Sequence, residues 1–116
     1  MKTIILDTDF LINIAKNNID VFDELKRICN FQYEIKIIDK TLDELKGKPK
    51  EKLIIALLES KNVKVIKTKK DKIVDELIIG LKQKDLIIAT QDKDLKNRVK
   101  SPIITIRQGK YLQLKD

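Results

Sequence analysis

An α/β fold, a three-layer α/β/α sandwich around a central and mainly parallel sheet, is what the sequence predicts. Three observations carry that prediction. Short β-rich runs and stretches of helical periodicity alternate from one end of the chain to the other, the order that builds a parallel sheet through crossover helices. The centres of those runs, such as Ile4-Ile5-Leu6, Leu86-Ile87-Ile88 and Ile103-Ile104, lack a polar face, as strands covered on both sides do. No internal repeat, low-complexity segment or linker divides the chain, so residues 1–116 read as a single domain, within the usual span of about 50–200 residues.

Thr3 to Leu6 is the first strand and ends at Asp7. A helix follows from about Phe10 to Lys16, and the pair Asn17-Asn18 breaks it. Val21, Phe22, Leu25 and Ile28 recur at helical spacing and carry a second helix to about Cys29. Tyr33 to Ile38 alternates and then turns apolar, giving strand two. A short helix holds Leu42 and Leu45, Gly47-Lys48-Pro49 interrupts, and the chain is helical again from about Lys50 to Ser60. Val63 to Ile66 is strand three; Ile73, Val74, Leu77, Ile78 and Leu81 mark a helix that begins near Asp71. Leu86 to Ala89 is strand four, and a polar helix runs from about Gln91 to Val99. Pro102 opens the last strand, Ile103 to Ile106, before Gln108-Gly109 turns the chain toward Tyr111-Leu112.

Composition narrows the chemistry. The chain has no histidine and one cysteine, Cys29. That excludes Ser-His-Asp and Cys-His nucleophile systems, a histidine base and His-ligated zinc, and it excludes an internal disulfide. Catalysis would fall to carboxylates, lysines or a cation held by oxygen. The longest apolar run, Leu53 to Leu58, is far short of the about 18 residues of a membrane span, and the N-terminal apolar segment is too short for a secretory signal. The expectation is a cytoplasmic protein that makes no use of a membrane. With 25 Lys and Arg against 18 Asp and Glu, the net charge is +7, which favours a polyanionic partner, nucleic acid above all.

In open parallel sheets, sites form outside the carboxyl ends of the strands, and in this sequence those ends are acidic. Strand one runs into Asp7, with Asp9 two residues on; the helix after strand two carries Asp43-Glu44; the helix after strand three carries Asp75-Glu76; strand four runs into Thr90-Gln91-Asp92-Lys93-Asp94. Carboxylates crowded together without histidine or cysteine tolerate one another only beside a cation. Oxygen ligands suit Mg²⁺ or Mn²⁺, and such an ion in a basic protein points to phosphodiester chemistry.

In these segments the chain resembles the PIN-domain nucleases, in particular the small archaeal members related to ribosomal-RNA processing nucleases and to VapC. The matching stretches are Ile4-Ile5-Leu6-Asp7-Thr8-Asp9-Phe10-Leu11-Ile12, Leu42-Asp43-Glu44-Leu45, Val74-Asp75-Glu76-Leu77, Ile88 to Leu95 and the tail Ile104 to Leu112. Their order spans almost the whole chain. The resemblance implies a PIN-like fold in which Asp7, Glu44, Asp75 and Asp92 are the catalytic, metal-holding acids, with Mg²⁺ or Mn²⁺ as cofactor and RNA as substrate. It makes Thr90 the hydroxyl residue supporting the fourth acid, and it implies 5′-phosphate and 3′-hydroxyl products. Asp9 stands where the family has Asn or Ser, and the proline common before the second acid is replaced around Asp39. Asp71, Glu76 and Asp94 lie near enough to leave the third ligand the least secure, with Asp9 and Asp94 as supporting candidates. Lys69, Lys70, Lys93 and Lys96 are the candidate RNA-phosphate contacts.

Each acid taken alone also has a plainer reading. Asp7 and Asp92 suit helix N-caps, and Asp9 reads as a cap before it reads as a ligand. Glu44 suits a solvated helix face, Asp75 a helix N-terminus, and the lysine runs suit solvated loops. Leu53 to Leu58, apolar all round, is either a deeply buried helix or a homodimer interface. The leading expectation is a metal-dependent endoribonuclease acting in rRNA processing or as a VapC-type toxin, with a ribosome-assembly or antitoxin partner accordingly. The alternative is a non-catalytic RNA-binding PIN module in ribosome assembly. A phosphatase acting through Asp7-Thr8-Asp9 ranks below both, because the chain is short for that fold and lacks a downstream Gly-Asp pair.

Overall fold

A computed structural model describes residues 1–116 in full. Its elements are β1 (Lys2–Leu6), α1 (Thr8–Lys16), α2 (Val21–Ile28), β2 (Tyr33–Ile38), α3 (Asp39–Leu45), α4 (Glu51–Ser60), β3 (Lys64–Ile66), α5 (Val74–Ile79), β4 (Leu86–Ala89), α6 (Lys93–Arg98), β5 (Ile103–Arg107) and β6 (Tyr111–Lys115). One six-stranded sheet has the order β3-β2-β1-β4-β5-β6. Its first four pairings are parallel and the β5–β6 pairing is antiparallel. No helix is long and apolar enough to cross a membrane.

The α/β/α layering follows from the doubly apolar strands. Ile4, Leu6, Ile37, Ile87, Ala89 and Ile104 face one way, into a core of 17 buried residues closed by Phe10 and Ile14 of α1, Leu25 of α2, Leu45 of α3 and Ile54 and Leu58 of α4. Ile5, Ile38 and Ile88 face the other way, into a core of six closed by Val74 and Ile78 of α5 and Leu95 of α6. The second layer is thinner because α5 and α6 have only six residues each.

The structure departs from the sequence expectation at several boundaries. Helix α1 begins at Thr8 because Asp7 is extended (φ −75°, ψ 154°) and accepts a hydrogen bond from Thr8 N. Residues 67–73 form no helix, and α5 starts only at Val74 and stops before Gly80. A sixth strand follows a tight turn in which Gln108 and Gly109 both have positive φ, 55° and 63°, the backbone that matches the twist of a two-stranded hairpin. In α4, Ile54 and Leu58 are buried while Leu53 and Leu57 stay exposed. They line an open groove of about 340 Å³ with Ile14, Val21 and Phe22. Cys29 is half-buried against the larger core.

The β6 edge is closed by side chains of α2. Glu24 Oε1 accepts from Leu112 N at 2.8 Å, and Arg27 Nη2 donates to Leu112 O at 2.9 Å. Arg27 and Glu24 also bond each other at 2.9 and 3.0 Å, so the pair meets the outward peptide group of Leu112 as a neighbouring strand would. Glu24→Ala leaves that N–H without a partner and costs about 1–2 kcal/mol. Urea denaturation reads the loss, together with faster hydrogen exchange at Leu112; unchanged exchange there would show that the clasp does not hold the edge.

Candidate acidic site

The strand order places two acids side by side. β1 lies between β2 and β4, and Leu6 pairs with Ala89, so Asp7 and Thr90 leave the sheet as neighbours. From there α1 turns onto the larger core and α6 onto the smaller one. This divergence opens a crevice at the point where the strand order reverses, where α/β sheets place their sites.

Asp7 is 3% exposed. One carboxylate oxygen accepts from Thr8 N at 2.8 Å and the other from Thr90 Oγ1 at 2.8 Å. Thr90 is fully buried, and its hydroxyl oxygen also accepts from Asp92 N at 3.1 Å. Asp92 Oδ1 in turn accepts from Asp94 N and Leu95 N at 2.8 and 3.2 Å, capping α6. Gln91 pins the same loop to β5. Its Oε1 accepts from Ile106 N at 2.6 Å and its Nε2 donates to Ile106 O at 3.3 Å.

A third acid reaches this pair from α5, which shares the smaller core with α6. Asp75, half-buried in the first turn of α5, is raised from 3.8 to about 6 by burial, by the charges of Asp7 and Asp92, by a hydrogen bond with Asp92 and by Asp9. Burial also raises Asp7 to about 6 against the lowering effect of its Thr90 and Thr8 hydrogen bonds, with Asp9 and Asp92 adding to the rise. Asp7, Asp9, Asp75 and Asp92 therefore share one negative field. No three His, Cys, Asp or Glu side chains stand close enough to make a ready ligand set.

The other candidates are distributed around this centre. Glu44 is half-buried on α3 and is not among the charges acting on Asp7 or Asp75. Asp9 is not a cap, because Asp7 already occupies that position and Asp9 lies exposed inside the first turn. Glu76 and Asp94 turn to Arg98, at 2.7 and 3.7 Å, and the Arg98 hydrogen bond holds the Glu76 carboxyl below its ordinary range. Asp71 is exposed in the β3–α5 loop. Lys70 pairs with Asp43 at 3.3 Å, Lys69 and Lys93 are exposed, and Lys96 is half-buried.

Two residues to which the sequence reading gives no site role shape the site's surroundings. Nothing in the spacing marks Gln91, whose amide contacts residues 15 positions away. Asp39 accepts from Thr68 N at 2.9 Å and Thr68 Oγ1 at 2.7 Å, tying the start of α3 to the loop after β3. Burial works to raise the Asp39 carboxyl, but these hydrogen bonds outweigh it and hold it below its ordinary value.

Comparison with known proteins agrees with this architecture. Residues 4–109 match a family described as PIN like domain. The chain is 32% identical to Ribonuclease VapC4 of Methanocaldococcus jannaschii, over 98% of this chain and 97% of that protein. It superposes on a solved structure of the PIN domain endonuclease Utp24 with a TM-score of 0.83 and 22% identity, covering 97% of this chain and 90% of that one.

The raised carboxyls fix the sign of a pH effect. Asp7 moves from 3.8 to about 6 on folding, so the folded state holds its proton more tightly than the unfolded state does. Its contribution to stability is complete below the lower value and is lost as pH rises through the upper one. Asp7→Asn, which keeps an acceptor for Thr8 N and offers a donor to Thr90 Oγ1, stabilises the metal-free protein at pH 7 by about 1–3 kcal/mol. It also flattens the decline across that window. Guanidinium denaturation in EDTA at several pH values tests this, and a variant less stable than wild type at pH 7 would refute it.

Proposed function

The chain belongs to the PIN like domain family, and from that premise we propose that it is a divalent-metal-dependent endoribonuclease whose acidic site is built on Asp7, Asp75 and Asp92. The observation that carries the reading is the convergence of those three acids, from β1, α5 and β4, on one field that raises two of them to about 6. Glu44 is the further acid, and Thr90 positions Asp7 and Asp92. The donor set fits Mg²⁺ or Mn²⁺ in kind: every donor is a carboxylate oxygen, and the mutual repulsion is of the sort a cation relieves. A bound ion of this type supplies Lewis-acid polarisation of the phosphodiester and activation of water without a histidine base.

The protein's own groups have definite tasks in that scheme. Thr8 N and Thr90 Oγ1 fix both oxygens of Asp7, leaving its remaining lone pairs for a ligand. Thr90 and the α6 cap orient Asp92, while Gln91 anchors the loop. Lys93 and Lys96 approach flanking phosphates from α6, and Lys69 and Lys70 from the β3–α5 loop. Asp9 and Asp94 support the rim electrostatically.

The near-full-length likeness to a protein named Ribonuclease VapC4 favours the toxin-type branch, with an antitoxin partner, over rRNA processing with a ribosome-assembly partner. The setting is the cytoplasm. Exposed Leu53 and Leu57 on α4 fit a homodimer, which sedimentation at micromolar concentration tests. A second reading, the RNA-binding module that does not cut, draws on the absence of three acids at ligand distance.

Cleavage of an end-labelled mixed-sequence RNA separates the two. Wild type cuts with Mg²⁺ or Mn²⁺ and not in EDTA, leaving 5′-phosphate and 3′-hydroxyl ends. Thr90→Val lowers the rate about 10–100-fold, and Asp92→Asn lowers it further. RNA binding without cutting on several substrates, with either metal, establishes the module instead.

A further inference from the structure

One face of the β5–β6 hairpin carries positive charge that the acidic site does not account for. Ile104, Ile106 and Leu112 belong to the larger core, so the alternate residues turn toward the α6 layer. These are Ile103, Thr105 and Arg107 on β5, with their cross-strand partners Lys115, Gln113 and Tyr111 on β6. Ile103 packs on the smaller core beside Leu95 of α6, which brings Lys96 against this face. Burial and then the charges of Arg107, Lys115 and Lys93 lower the Lys96 ammonium, while Asp92 acts in the opposite sense. Lys96 therefore sits within the fields of Arg107, Lys115 and Lys93, and Asp92 of the acidic site borders it.

None of the four has an acidic partner. Lys36, Lys46, Lys64, Lys70, Arg27 and Arg98 reach carboxylates within 4 Å; Lys93, Lys96, Arg107 and Lys115 are among the cations that form no ion pair, and they are the ones that meet beside the acidic site. Arg107 is nevertheless held in place, since its Nε donates to Gln113 Oε1 at 2.6 Å and its terminal nitrogens are left for another acceptor. Beneath them Thr105 is 4% exposed, and its hydroxyl has no hydrogen-bond partner. Arg107 and Lys115 stand at opposite ends of β5, since Lys115 pairs with Ile103. Four strand residues span about 13 Å, room for more than one phosphate. Like charges gathered without counter-charge raise the energy of the empty surface and lower it for a polyanion.

We propose that this face, Lys93, Lys96, Arg107 and Lys115, is the track that holds the backbone of single-stranded RNA as it runs from the acidic site across the β5–β6 hairpin. The proposal rests on the RNA-cutting reading and names the side of the site from which substrate is gripped. It places the main grip on the hairpin side and gives Lys70, already paired with Asp43, a minor part.

Fluorescence anisotropy with a labelled single-stranded RNA in EDTA, titrated with salt, tests it without cleavage. The exposed pair Arg107→Gln/Lys115→Gln weakens binding about tenfold or more at low salt and reduces the log–log salt slope by about 1.4. The control pair Lys46→Gln/Lys48→Gln changes binding less than about twofold. Unchanged affinity and slope in the Arg107/Lys115 variant, with wild type binding normally, overturns the track and leaves the nuclease reading intact. Loss confined to Lys69→Gln/Lys70→Gln moves the grip to the other side of the site and equally overturns it. Failure of wild type to bind RNA at low salt removes both the track and the functional reading beneath it.

Discussion

The acidic rim depends on one constraint: a carboxylate is buried at the end of the central strand and held there by one backbone N–H and one hydroxyl. Burying an ionised group is expensive unless it is hydrogen-bonded, and Asp7 has only Thr8 N and Thr90 Oγ1 to offset that cost. A hydroxyl has one proton to give. Since Thr90 gives it to Asp7, its oxygen is free to accept from Asp92 N. One buried threonine therefore fixes the first acid and the loop bearing the last, across 83 residues of sequence.

That arrangement is a consequence of strand order. β1 pairs with β2 on one side and β4 on the other, so the connections leaving β1 and β4 diverge onto opposite layers. Their first helical turns are capped by Asp7 and Asp92, so the same two side chains end strands, start helices and face the crevice. α5 packs Val74 and Ile78 into the smaller core beside α6, which carries Asp75 to the crevice. The local role of each acid and its collective role coincide in one geometry, and capping does not compete with a site.

This coincidence explains how much was legible beforehand. Strand centres and the acids that follow them are local signals, so β2 and β4 stand at the boundaries that the apolar runs mark, and Asp7, Asp75 and Asp92 stand where those runs deliver them. Asp9 was misread as a cap because two acids flank Thr8 and only the extended backbone of Asp7 decides between them. The sixth strand was hidden because Tyr111 to Lys115 presents a single apolar face to one core, a weaker signal than a doubly buried strand gives. The Gln91 and Asp39 anchors are contacts between distant loops, which no periodicity records. The partition of acids between Arg98 and the crevice likewise needs three dimensions, since Glu76 adjoins Asp75 in sequence but pairs with Arg98.

Charge is distributed by the same logic. A chain of net charge +7 gathers unpaired carboxylates in the crevice and pairs some acids elsewhere with cations, as Glu76 and Asp94 pair with Arg98. A phosphate backbone approaching the crevice alone meets repulsion from Asp7, Asp75 and Asp92. Screening confines such fields to about 8–10 Å at physiological salt, so the net charge of the whole molecule cannot offset that repulsion from a distance. Cations must stand within that range of the acids, and the α6–hairpin face, where Lys96 feels Asp92 on one side and Arg107 and Lys115 on the other, would supply them. On the proposed reading, attraction along the hairpin and repulsion in the crevice would act on the same strand, and a divalent cation held by the acids would relieve the repulsion.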